Sequence, residues 1–279
     1  MPYTLVMRLA GPLQAWGVSS RFSIRETLNE PTKSGAIGLL CAALGWDRAA
    51  PTHVVAGRAR PLADLAALPF GVRVVQAGVQ RRDYHTAQQV LRAKAKLKPG
   101  KPAAGGDLQE TVLSERYYLS DAYFLAGFES DDVALLQALD EALANPHWPL
   151  ALGRKAFVPS LPVRYVAPAH GPAPAATSIV SLPLAEALLT AHDPAWYSLP
   201  RQRSRVGEAA PTFPLHRLVL EAEPGAAAPA TVLAAAAAAG YSLAAGRSVQ
   251  YLDVPLSFAP RRFAPRTVTF FAPTSHVPV

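Results

Sequence analysis

"PTKSGAIGLLCAALG", residues Pro31 to Gly45, sets apolar side chains at Ile37, Leu40, Cys41 and Leu44. That is the i, i+3, i+4, i+7 spacing of one helix face. It predicts a helix from about Ser34 to Leu44, stopped by Gly45. Upstream, Tyr3 to Leu9 is a short β-type run closed by Gly11-Pro12. Between the two lies "GPLQAWG", a tight turn around Trp16, followed by Arg21, Arg25 and Lys33. Downstream, Phe70 to Gln76 reads as a second strand and Tyr117 to Phe128 as a third, long and aromatic. Asp131 to Ala144 is a second amphipathic helix, with Val133, Leu136, Leu139 and Leu143 inward and Ser130 or Asp131 as cap. A fourth strand is expected within Lys155 to Val166. The order β-α-β, long insert, β-α-β is that of a ferredoxin-like split unit, and the fold class is α+β.

The chain has 279 residues, is 50% hydrophobic and carries a formal charge of +7. A basic balance of this size points to a polyanionic partner, nucleic acid or an anionic membrane surface. Cys41 is the one cysteine, so no disulfide framework or Cys/His metal cluster can be drawn. It reads as a small buried hydrophobe. Met1 to Leu5 lacks the charged start and apolar core of a signal peptide, and no run approaches a membrane span. A cytoplasmic protein without a membrane partner is expected.

The insert between the second and third strands, Gln80 to Gln109, has its own character. From Arg81 to Lys101 it holds seven basic residues against Asp83, a net charge of +6. It ends in "KPGKPAAGG", which is loop chemistry, and a loop of this length in a compact domain is functional or disordered. After Val163 the composition shifts. "APAHGPAPAATS" is a Pro/Ala-rich linker or exposed loop. Leu182 to His192 and Ala230 to Ala239 look helical, and Leu215 to Glu221 and Val268 to Phe271 look like strands. Residues 1–165 form the expected main domain. Residues 166–279 form a smaller, β-rich C-terminal part with a Pro/Ala-rich insertion.

Four basic clusters carry the chemistry. "PTKSG" lacks the full G-x-x-x-x-G-K-[ST] pattern, which argues against a nucleotide hydrolase. Its physics remains: Ser34 and Gly35 open a helix whose free N–H groups point outward, and Lys33 adds charge. "RRDYHT" places Tyr84 and His85 beside Arg81 and Arg82. The pair suits acid–base work in metal-free RNA cleavage or stacking on a base and donating to a phosphate. Neighbours in an extended chain point opposite ways, which weakens a shared catalytic role. "LGRKAF" puts Gly153 beside Arg154 and Lys155. "APRRFAPR" puts Arg261, Arg262 and Arg266 around Phe263. Arginines alternating with aromatics suit a single strand, whose phosphates need charge and whose bases need flat faces.

"MRLAGPLQAWG" at Met7 to Gly17, "PTKSGAIGLLCAALG", "RRDYHT", "LGRKAFVPSLPV" at Leu152 to Val163 and "DVPLSFAPRRF" at Asp253 to Phe263 together resemble a known family. It is the CasD-type branch of the CRISPR-associated RAMP superfamily, subunits of type I-E Cascade complexes. The likeness is nearly continuous over the first 165 residues and returns in the C-terminal patch; residues from about 171 to 245 depart from it. The resemblance implies a ferredoxin-like (RAMP/RRM-like) domain with a protruding thumb, placed at about 80–110, and a non-catalytic, cofactor-free RNA-binding subunit. Such a subunit holds the 5′ handle of the guide RNA and caps the backbone of the assembly. Its implied partners are the guide RNA, the backbone RAMP subunits, the large subunit and, indirectly, target DNA. Arg21, Arg25, Lys33, Ser34, Arg81, Arg82, Tyr84, His85, Arg154, Lys155, Arg261 and Arg262 are then the expected lining of the RNA groove. The rival reading is a metal-independent endoribonuclease that trims precursor guide RNA, as a related type I-C branch does with tyrosine, lysine and histidine.

Overall fold

Tyr3–Ala10 forms a strand, β1, in which every residue after Tyr3 is buried, so it must be covered on both faces. The computed structural model describes residues 1–17, 20–21, 23–91, 108–166, 177–191, 217–221, 230–239 and 242–273. The chain continues with β2 (Leu13–Gln14), β3 (Ser20–Arg21), β4 (Ile24–Arg25) and helix α1 (Lys33–Leu44). Next come β5 (Thr52–Val55), β6 (Arg58–Pro61), α2 (Leu62–Ala66) and β7 (Phe70–Gln76). A long pair follows, β8 (Val79–Leu91) and β9 (Leu108–Ser120), then β10 (Tyr123–Ser130) and α3 (Val133–Ala144). The last elements are β11 (Ile179–Val180), α4 (Leu184–Thr190), β12 (Arg217–Glu221), α5 (Ala230–Ala238), β13 (Leu243–Phe258) and β14 (Arg261–Pro273). The architecture is mixed α/β, rich in strand, with mainly antiparallel pairing. One seven-stranded sheet runs β11-β1-β10-β7-β12-β14-β13, and a second sheet joins β2, β9, β4 and β3, with β8 on β9.

The large sheet is sandwiched. Leu5, Met7, Leu9, Phe70, Val72, Phe124 and Phe128 share one core with residues of α1 and α3. Val6, Val75, Tyr123 and Leu125 share the other with α4 and α5. Period-2 alternation in central strands feeds both cores. Gly71 and Gly127 lie opposite each other in β7 and β10. A Cβ on Gly71 would stand 2.7 Å from Leu220, and one on Gly127 2.7 Å from Leu184 of α4. The paired glycines let that helix approach the sheet closely. Buried Arg73 on β7 then donates from Nη1 to the carbonyls of Leu188 and Leu189 at 3.0 and 2.8 Å, satisfying the C-terminal end of α4.

Four expectations change. The fourth strand lies outside Lys155 to Val166. That stretch is turns with a single bridge from Arg164 to Met7, and the place beside β1 is taken by β11. The third strand is two strands broken at Asp121, which has φ 56°. Its first part, β9, leaves the large sheet for the second one. The insert is a β-hairpin rather than a loop over residues 79–91 and 108–120, while "KPGKPAAGG" lies outside the described residues. The cap of α3 is Asp132, whose carboxylate accepts from the Leu135 N–H at 3.0 Å. The C-terminal strands continue the large sheet, with β12 paired to β7 and β14 to β12.

Candidate nucleic-acid interface

β8 and β9 pair antiparallel from Val79↔Ser120 to Leu91↔Leu108. Cross-strand partners share a face and successive residues alternate. Arg81 with Tyr118, Asp83 with Arg116 and His85 with Ser114 therefore lie on one face. Arg82 with Tyr117 and Tyr84 with Glu115 lie on the other. β4 pairs parallel to β9 with Arg25 beside Arg116, which adds Arg25 to the first face.

The "LGRKAF" loop closes onto this sheet. Phe157 is buried and its ring packs 6.0 Å from that of Tyr118. The Arg154 guanidinium stands 5.4 Å over the Phe157 ring and donates from Nη2 to the carbonyls of Tyr117 at 2.8 Å and Arg25 at 3.2 Å. Arg116 donates from Nε to Ser114 Oγ at 3.0 Å. His85 Nδ1 lies 3.5 Å from Asp83 Oδ2. Burial and the neighbouring Arg116 hold the Arg154 guanidinium below its ordinary value; Asp83 acts the other way, and Arg25 lowers it further. Lys155 is exposed beside it. The first face thus gathers Arg25, Arg81, His85, Arg116 and Arg154.

The second face is electrically quieter. Arg82 lies 3.4 Å from Glu115, which also accepts from Tyr117 Oη at 3.5 Å. Tyr84 is 62% exposed there, so Tyr84 and His85 do not face one another. Gly153 is not a place where the backbone opens toward a ligand. It has φ 94°, and a Cβ would sit 1.8 Å from the Ala15 carbonyl oxygen, so its closeness is to the turn holding Trp16. That tryptophan is buried, and its Nε1 donates to Gln14 Oε1 at 3.1 Å. It anchors the loop after β1.

The helix N-terminus read as a phosphate cradle is already occupied by this chain's own carboxylate. The Lys33 N–H donates to Asp253 Oδ2 at 2.8 Å, and Gly35 N–H to the Thr32 cap at 3.1 Å. Lys33 is 3% exposed, with its ammonium 2.9 Å from Glu221; burial lowers its pKa against the pull of that partner. Arg266 grips Asp253 with Nε and Nη2 at 2.6 and 2.8 Å. Glu30 takes Arg217 at 2.7 Å and Tyr251 Oη at 3.0 Å. Lys33 is therefore part of an internal latch between α1 and the C-terminal strands, and it does not line an open groove. Ser34 is half-buried and donates weakly to Thr32 Oγ1 at 3.4 Å. Arg21 lies in β3 opposite Ile24, and its side chain is outside the described residues. Arg261 and Arg262 are exposed at the tip of the β13–β14 hairpin, in the other sheet from the Arg154 cluster. Arg116 was missed in the sequence. Its signal was present in "SERYYLS", an arginine next to two tyrosines.

Among the described residues no group of three His, Cys, Asp or Glu side chains is placed to hold a metal ion. Cys41 is buried, which pushes its thiol up to about 12. No described helix is long and apolar enough to cross a membrane.

A fold with a charged hairpin beside a double-covered sheet matches one class of protein along most of its length. The profile of the family described as CRISPR-associated protein (Cas_Cas5) matches residues 4–268, and the chain belongs to that family. It is also similar to the CRISPR system Cascade subunit CasD of Escherichia coli (strain K12), 32% identical over 161 residues. That match covers 54% of this chain and 65% of the relative, just under two thirds of its length. A solved structure described as "Crystal structure of Cas protein" is 35% identical with a TM-score of 0.55, covering 97% of this chain and 95% of that one. A chain of a "CRISPR RNA-guided surveillance complex" is 28% identical with a TM-score of 0.53, covering 97% and 91%.

Proposed function

We propose that this chain is a non-catalytic RNA-binding subunit of a type I-E Cascade complex, holding the 5′ handle of the guide RNA and capping the backbone of the assembly. The observation that carries the reading is the first face of the β8–β9 hairpin, where Arg25, Arg81, Arg116 and Arg154 converge beside His85. Clustered guanidinium groups on a sheet edged by aromatics suit a phosphate chain. The order β11-β1-β10-β7, with α1 and α3 on one face, supports reading the core as a ferredoxin-like RAMP domain with the hairpin as thumb and β12 to β14 as its C-terminal part. Lys155 extends the face, and Arg21, Arg261 and Arg262 offer further phosphate contacts. The backbone RAMP subunits and the large subunit are the expected protein partners, in the cytoplasm.

The opposite facing of Tyr84 and His85 weighs against the endoribonuclease reading, because acid and base must reach the same phosphodiester. The test is co-purification with the neighbouring gene products, followed by sequencing of the bound RNA. Recovery of repeat-derived 5′ ends in a multi-subunit complex is expected. In parallel, the isolated chain incubated with repeat RNA and a chelator is expected to leave it intact. Specific cleavage lost in His85→Ala would overturn the binding-only assignment.

A further inference from the structure

Arg25, Arg116 and Arg154 come from three separate segments and meet on one face. β4 and β9 run parallel with Arg25 directly beside Arg116, so the two side chains leave the sheet on the same side, one strand spacing of about 4.8 Å apart. Arg154 is tied to the same pair of strands, because its Nη2 donates to the carbonyls of Arg25 and Tyr117. Arg116 is itself oriented by its hydrogen bond to Ser114, which is buried. The acid across the register is Asp83, half exposed and 3.5 Å from His85. Like charges brought this close repel unless an anion lies between them.

We infer that Arg25, Arg116 and Arg154 share one phosphodiester of a single-stranded RNA, with Arg116 at its centre; the inference rests on the RNA-binding reading above. The lowered Arg154 value, caused by burial and then by Arg116, with Arg25 adding to it and Asp83 opposing it, agrees with three cations gathered around a single acid. A shared phosphate makes a prediction that three independent contacts do not. Each neutralised phosphate of a single strand contributes about 0.7 to the log–log slope of affinity against salt. The site holds its phosphate only with all three guanidiniums in place, so Arg116→Gln is expected to flatten that slope by about 0.7, and so is Arg25→Gln. The double variant is expected to lose the same ~0.7 and not twice as much.

The experiment titrates the full chain with single-stranded repeat RNA at several salt concentrations, for wild type, both single variants and the double variant. A second probe leaves the protein untouched: a set of the same RNAs, each with one linkage replaced by a neutral methylphosphonate. One linkage is expected whose neutralisation weakens the wild type and leaves Arg116→Gln unchanged. Additive slopes, an unchanged slope in Arg116→Gln, or the lack of any such linkage would sink the shared subsite while RNA binding stands. A wild-type chain that binds no RNA under these conditions overturns the RNA-binding reading itself, and the subsite with it.

Discussion

Asp140 shows how much one side chain organises. It lies on α3, 5% exposed, and its carboxylate takes Nε and Nη2 of Arg164 at 2.8 and 2.6 Å. It also accepts from Thr177 Oγ1 at 3.0 Å, from the Ser178 N–H at 3.2 Å and from the Ser178 hydroxyl. These bonds fasten the two pieces that cover the outer edge of β1. Burial opposes the charge, but the bonds from Arg164, Ser178 and Thr177 outweigh it and hold the carboxyl below its ordinary value. A depressed carboxyl adds stability above its unfolded pKa of about 3.9, and that stability is lost as pH falls through the folded value. Asp140→Asn leaves Arg164 without its counter-charge and is expected to cost about 3 kcal/mol in urea unfolding at neutral pH. The same variant should lose part of the wild type's acid sensitivity below the unfolded carboxylate pKa. Equal stability of the two proteins at neutral pH would show that the cluster orders the edge without stabilising it.

At the scale of elements, legibility followed burial. β1, β7, α1 and α3 face the main core, so their apolar spacing was plain in the sequence. The β8–β9 hairpin was not. Its first strand, "VQRRDYHTAQQVL", is exposed at most positions, and a strand wet on both faces carries no apolar alternation. β13 was hidden for a related reason: three register shifts interrupt its pairing with β14, and each shift breaks the period of 2. The split between β9 and β10 was masked by aromatic pairs on either side of the turn at Asp121, Tyr117 and Tyr118 before it and Tyr123 and Phe124 after it. The hairpin's faces nonetheless make a sharp prediction once they are separated. Tyr84 projects away from the arginine face, so Tyr84→Ala is expected to leave the salt slope of RNA binding unchanged. If its ring stacks on a base, affinity falls by about 1–3 kcal/mol at every salt concentration. A flattened slope would mean that Tyr84 supports the charged face, contrary to the alternation.

The whole molecule is held by charges that the sequence presented as surface. "PTKSG" and "APRRFAPR" looked like two walls of a groove because both are basic. No spacing rule shows that Asp253, 13 residues from Arg266 but far from Lys33, and Glu221 are folded against them. Lys33 and Arg266 both reach Glu221, at 2.9 and 3.4 Å, and Arg266 also reaches Asp253. Glu30 likewise holds Arg217 and Tyr251. These bonds run from α1 and the loop before it to β12 and β13, and Arg266 ties β14 to the same carboxylates; these are the strands that continue the sheet past β7. The C-terminal strands and the first helix should therefore unfold together. Glu221→Gln removes the charge between two buried cations. Removing one partner from a buried pair costs about 3–5 kcal/mol, because the remaining charge is left uncompensated. Glu221 is partly exposed, with side-chain exposure of 24%, so water screens part of that cost and the lower end, about 3 kcal/mol, is expected. The measurement is native-state hydrogen exchange in urea, following amides of β1 and of β14 in wild type and variant. Both sets should lose protection at one midpoint, which moves to lower urea in Glu221→Gln. Separate midpoints in the wild type, with only that of β14 shifted by the substitution, would make the C-terminal strands an independent unit and the latch a local one.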